Sequence, residues 1–194
     1  MPVHAHLIMG EINEASVAPA IISLMKADLG DTVLLQICSD GGYTAPAYAL
    51  IDLMRASPAK VITIGIGNIG SAALDIFVAG DQRIAYPSTI GMAHNAWGSA
   101  DSRQHKSSLK QELALDNARG IALYKERSRY KTEEELHAIL FRPRRDTWMN
   151  AQQLLEHGLA DEIHQPELKQ FQLAAQPAPK RLRKVRPKKV KVKV

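Results

Sequence analysis

The sequence predicts an α/β protein built from repeated β-α units around a mainly parallel sheet. Three observations carry that expectation. Residues 32–38 and 60–66 are nearly continuous apolar runs, as strands buried on both faces require. The stretches between such runs space their apolar residues at helical intervals, so strands alternate with helices. With 194 residues, 45% hydrophobic and 23% charged, the chain suffices for one substantial core and is ordinary for a globular protein.

The elements follow in order. Leu7, Ile8 and Met9 form a short first strand. Residues 16–29 carry Val17, Ile21, Leu24 and Met25 at helical spacing, with Pro19 tolerable only as part of the first turn. Gly30 and Asp31 stop that helix before the strand at 32–38. The Gly41 and Gly42 turn leads into a helix over 45–56, ended by Ser57 and Pro58. After the strand at 60–66, residues 71–79 are small and apolar enough for a helix packed inside the core. Strands at 83–85 and 91–93 lie on either side of Pro87. A long polar helix spans 102–129. Capping boxes at Thr132 and Asn150 open two more helices, and Gly158 closes the last. No internal repeat is visible.

Residues 1–164 are expected to form the folded domain, and 165–179 a Pro-, Gln- and Ala-rich linker. Residues 180–194 hold nine of the 25 Lys and Arg and no acid. The other 16 basic residues meet 20 acidic ones, so an overall +5 hides a body of −4 and a strongly basic tail. The tail has too little apolar surface and too much like charge to fold alone. Nucleic acid or another polyanion is a fitting partner for it, since such a run neutralises phosphates without reading sequence.

Cys38 is the only cysteine, which excludes an intramolecular disulfide and fits a reducing, cytoplasmic compartment. No stretch approaches the roughly 20 apolar residues of a membrane helix, and the first residues lack a signal-peptide layout. His4 and His6 find no third ligand at convincing spacing, so no metal is expected, and a frayed N-terminus accounts for them better. No cofactor is called for.

Three residues stand where strand patterns give way to helix or loop. Ser71 follows a Gly-rich strand end, and by itself reads more readily as a helix N-cap than as a nucleophile. His94 follows the apolar Gly91, Met92 and Ala93, a place where a lone histidine is usually structural. Asp146 follows Arg142, Arg144 and Arg145, where a surface ion pair worth at most about 1 kcal/mol is the plain reading. Together they offer a nucleophile, a base and a carboxylate to orient the base, the combination that a weak serine nucleophile needs. Upstream, Gly41 and Gly42 could present bare backbone N–H groups to an oxyanion.

From about residue 10 to 163 the chain resembles the proteolytic subunit of the Clp protease (ClpP). The glycine loop, the Ser71 turn, the His94 segment and the Asp146 segment stand in that family's order and at nearly its spacing. The final helix and strand, from Ala151 through Gly158 to Ile163, also match. The resemblance implies a ClpP/crotonase-like fold with a protruding long helix. It implies a serine endopeptidase with Ser71, His94 and Asp146 as the triad, and the amides of Gly42 and Ala72 as oxyanion donors. It further implies a polypeptide substrate and a homo-oligomeric ring of seven. Stacking of two rings into fourteen is less firmly implied, because the long helix segment is about three residues longer here. The family's N-terminal axial-loop segment has no counterpart, so docking of an unfoldase ATPase is not expected. Asp40 and Asp75 depart from the family pattern; Asp75 would face a subunit interface or pair with a base. Competing readings are a phage-type head-maturation protease, a non-catalytic scaffold subunit, and an acyl-CoA hydratase or isomerase of the same fold.

Overall fold

The computed structural model describes residues 2–98 and 106–164. Seven strands form one sheet in the order β1 (Val3–Met9), β2 (Thr32–Ser39), β3 (Lys60–Gly70), β4 (Gln82–Ala85) and β7 (Glu162–Ile163). β5 (Ile90–Ala93) branches off β3 and pairs with β6 (Thr147–Asn150). Every pairing is parallel except β5 with β6. The α/β expectation holds, and the central strands are as apolar as a sheet covered on both sides demands.

α1 (Glu14–Lys26) and α2 (Thr44–Ala56) follow β1 and β2, and α3 (Ala72–Ala79) follows β3. Seven of the eight α3 residues are buried, as expected for a helix apolar all round. α4 (Lys106–Arg127) buries only Ile121, Leu123 and Tyr124, so it docks by its C-terminal end and leaves its first turns in solvent. α5 (Glu133–Ile139) and α6 (Ala151–Glu156) open on the expected capping boxes at Thr132 and Asn150. Gly158, at φ 70°, turns the chain out of α6.

Several local expectations need correction. β1 begins at Val3, so His4 and His6 are strand residues paired with Val33 and Leu35, not a frayed end. α1 starts earlier than its apolar spacing suggests, because Asn13 and Ser16 form a reciprocal capping box. Pro19 therefore lies in the second turn and removes one intrahelical hydrogen bond. β3 runs on to Gly70 instead of stopping at Ile66. Its register against β2 shifts after Ile37, and Gly67 at φ 61° supplies the bulge that lets the strand continue. β6 was not expected at all. The linker at 165–179, the tail at 180–194 and the first part of the expected 102–129 helix lie outside the described residues.

β3 passes from one neighbour to another, and this handover builds the site. Residues 62–65 pair with β4, whereas Asn68, Ile69 and Gly70 pair with β5. The ends of β3 and β5 and the start of β6 are thereby brought side by side.

Candidate active site

Strand register alone makes Ser71, His94 and Asp146 neighbours. Gly70 pairs with Met92, and Ser71 comes next. Ala93 pairs with Thr147, so His94 leaves β5 where Asp146 leads into β6. The Ser71 amide donates to the Met92 carbonyl at 2.8 Å, pinning the serine to the end of β5.

Ser71 is the N-cap of α3, but its side chain makes no capping hydrogen bond. Its Oγ lies 2.7 Å from His94 Nε2. The backbone is at φ 53°, ψ −127°, a region in which a non-glycine residue costs about 1–3 kcal/mol. A serine that only capped the helix would have extended backbone and bond to an N2 or N3 amide. Here the hydroxyl faces the histidine.

The glycine turn is pressed against that serine. A Cβ on Gly41 would stand 2.7 Å from Ser71 Cβ, and a Cβ on Gly42 would stand 2.4 Å from the Ile12 carbonyl oxygen. Ile12 holds the turn by donating to Gly41 O at 2.9 Å and accepting from Tyr43 N at 2.8 Å. The Gly42 amide takes part in neither bond. Ala72 is the first residue of α3, where an amide has no intrahelical acceptor. Ile12 was missed from sequence, since an apolar residue in a loop gives no sign that its backbone clamps a turn 30 residues on.

His94 is largely covered, its side chain 13% exposed, and burial pulls its pKa below the ordinary imidazole value while Asp146 pulls it back up. The ring is therefore mostly neutral near pH 7 and Nε2 is free to accept from Ser71 Oγ–H. The following loop is tied down on both sides: Asn95 Nδ2 donates to Phe141 O at 3.0 Å, and Asn117 Oδ1 on α4 accepts from Ala96 N at 2.7 Å. Asp146 Oδ1 is 3.9 Å from His94 Nδ1, with its side chain 53% exposed. This is an ion-pair distance and exceeds hydrogen-bond length. Among the described residues neither Arg144 nor Arg145 pairs with Asp146, contrary to the surface ion pair that the sequence suggests.

Asp40 is exposed and accepts from Asn68 Nδ2 at 3.1 Å. Asp75 is half-buried and makes no ion pair among the described residues. It lies beneath Ser71, one turn along α3, where burial pushes its carboxyl up to about 7 against hydrogen bonding from Tyr124 and the charge of Arg119. Arg119 gives its own ion pair to Asp116 at 2.7 Å. Among the described residues no three His, Cys, Asp or Glu side chains are grouped to hold a metal ion.

A groove of about 720 Å³ runs over the pair, lined by Gly42, Ser71, Met92, His94, Trp97 and Asp146 among others. The arrangement sets a hydroxyl within hydrogen-bond distance of an imidazole at an open cleft.

Comparison with known proteins identifies the family and the fold. A family model described as Clp protease matches residues 5–167. The "ATP-dependent Clp protease proteolytic subunit" of Dehalococcoides mccartyi is 32% identical over 152 residues, which are 77% of this chain and 74% of the relative. The "ATP-dependent Clp protease proteolytic subunit 1" of Leifsonia xyli is 25% identical over 158 residues, 80% of this chain and 79% of that one. The solved structure of a ClpP1 mutant from Listeria monocytogenes superposes with a TM-score of 0.74 over 84% of this chain and 92% of that one. Its 22% identity speaks for the fold. The chain has the ClpP fold, and it belongs to the Clp protease family.

Proposed function

We propose that this protein is a serine endopeptidase whose nucleophile is Ser71. His94 Nε2 takes the hydroxyl proton as Oγ attacks the peptide carbonyl, then returns it to the leaving amine as the acyl-enzyme forms. Water, deprotonated by the same nitrogen, releases the second product. The amides of Gly42 and Ala72 receive the tetrahedral oxyanion, a contribution of about 3 kcal/mol for a donor of this kind. Asp146 orients His94 and favours its protonated form.

The observation that carries this reading is the 2.7 Å contact of Ser71 Oγ with His94 Nε2, made by a serine that forgoes its helix cap and sits at positive φ. Strain of that kind survives only where the surroundings impose it. A scaffold subunit needs none of it.

The family relationship supports a homo-oligomeric ring of seven acting on polypeptides. Exposed Leu7 and Met9 on β1 and Ile22 and Met25 on α1 supply apolar surface for subunit contact. The single cysteine supports a cytoplasmic site of action. The test is labelling by a fluorophosphonate probe, with native mass spectrometry on the same sample. Labelling at Ser71, its loss in Ser71→Ala, and loss of fluorogenic peptide hydrolysis in that variant are expected. Unchanged turnover by Ser71→Ala would place the chemistry elsewhere.

A further inference from the structure

Beneath the proposed nucleophile lies a second, smaller space. It is a cavity of about 40 Å³ whose walls include Ser71, His94 and Asp75. It shares Thr44, Ser71, His94, Ala96 and Asp116 with the larger groove, so the two adjoin. Ala72, the proposed oxyanion donor, also lines it. Its place beside both Ser71 and Ala72 suits the side chain of the residue whose carbonyl Ser71 would attack.

The walls mix apolar residues with acidic and phenolic groups. Asp75 and Asp116 present carboxyl groups, and Tyr48 and Tyr124 present hydroxyls. Tyr48 is 9% exposed, and its buried hydroxyl meets strict hydrogen-bond geometry with no partner, although it lies near enough to Asp75 to help hold that carboxyl's pKa down. A buried hydroxyl left unmatched is costly and points to a group that is brought in from outside. Arg119 lies outside the cavity, 4.0 Å over the Tyr48 ring, and its ion pair with Asp116 balances one of the two carboxyls. Asp75 remains.

The groove above has the same sign. Glu11, Asp40, Asp116 and Asp146 line it, and among the described residues no Lys or Arg does so in either space. A cleft lined by one sign of charge concentrates ligands of the other. At about 10–15 Å³ per water, the cavity holds roughly three, room for the tip of a straight polar chain and too little for an aromatic ring.

We propose that Asp75 is a specificity-determining residue, and that the site takes cationic polypeptides with lysine or arginine immediately before the bond cut. The shaft of that side chain lies at the mouth of the groove, and its charged end reaches Asp75 and the Tyr48 hydroxyl. The proposal rests on the peptidase reading above.

The test uses the full chain and four fluorogenic peptides that differ only in the residue before the scissile bond: Lys, Arg, Leu or Glu. Lys and Arg should exceed Leu in kcat/KM by about tenfold or more, with Glu poorest, as a charge contact away from bulk water allows. In Asp75→Asn, which keeps the shape of the side chain, the Lys-to-Leu ratio should fall by about tenfold. A preference for Leu, or a ratio that Asp75→Asn leaves unmoved, would overturn the proposal while probe labelling of Ser71 upheld the peptidase reading. If Asp75→Asn does not fold, the wild-type order of the four peptides decides. No cleavage of any peptide together with no labelling at Ser71 would refute both readings.

Discussion

Replacing Asp146 by Asn tests how much the third member of the proposed triad contributes at the separation seen here. Two unit charges at 4 Å attract by about 1 kcal/mol in water and about 4 kcal/mol at the effective dielectric of a protein surface. Asp146 is 53% exposed, so solvent screening moves the figure toward the lower end, about 1–2 kcal/mol. Loss of that attraction from the imidazolium-like transition state corresponds to a fall in kcat/KM of roughly 5- to 30-fold. A buried, hydrogen-bonded carboxylate would give a loss of about 10⁴.

The same variant makes a signed prediction about pH. His94 acts as a base only when neutral, so the acid limb of the kcat/KM profile follows its pKa. Burial lowers that pKa and Asp146 raises it. With Asp146→Asn the raising influence is gone, and the acid limb should move to lower pH. High salt, which screens a half-exposed pair, should move the wild-type limb in the same direction. The assay is hydrolysis of one fluorogenic peptide between pH 5 and 9, at about 0.1 M and 1 M salt. A limb that moved to higher pH, or a loss near 10⁴-fold, would show that the 3.9 Å pair is not the working geometry.

Two further outcomes follow from the site and the charge distribution. Gly41→Ala should lower stability in urea by about 3 kcal/mol and abolish probe labelling, because φ is +114° and the new Cβ would meet Ser71 Cβ at 2.7 Å; an unchanged midpoint would contradict that contact. Removing residues 180–194 should leave peptide kinetics unchanged and eliminate salt-sensitive retention on heparin, since nine positive charges then leave a body of net −4; loss of peptidase activity would instead make the tail structural.

Much of the fold was legible because each central element carries its own signal. β2 is apolar nearly throughout, α3 is apolar all round, and Thr132 and Asn150 announce their helices by side-chain chemistry. What stayed hidden depends on partners distant in sequence. β6 has four residues of mixed polarity and becomes a strand only because β5 lies opposite. The far half of β3 reads as a turn, with Gly65, Gly67 and Gly70 in six residues, until the bulge at Gly67 and the β5 pairing are known. The site divided in the same way. Ser71, His94 and Asp146 were legible by position, but the absent helix cap, the Ile12 clamp and the 3.9 Å spacing were not. Asp75 was noticed as anomalous, and only the packing of α2 and α4 around it shows that it lines a cavity.

The β6 pairing also explains how one sheet supports a three-part site without a long loop. In an all-parallel arrangement every strand would present its C-terminal end at this edge, and each loop would have to travel back to begin the next strand. β6 runs the other way, so its N-terminal end meets the C-terminal end of β5, and Asp146 arrives at His94 from the opposite direction. Ser71 and His94 are fixed by strands with buried neighbours and a main-chain hydrogen bond between their elements. Asp146 is fixed by a four-residue strand and a turn in which Arg144 sits at φ 60°. Local stability follows the amount of packed structure behind each residue. The serine–histidine contact is therefore the rigid part of the site, and the aspartate is the member whose distance is free to change.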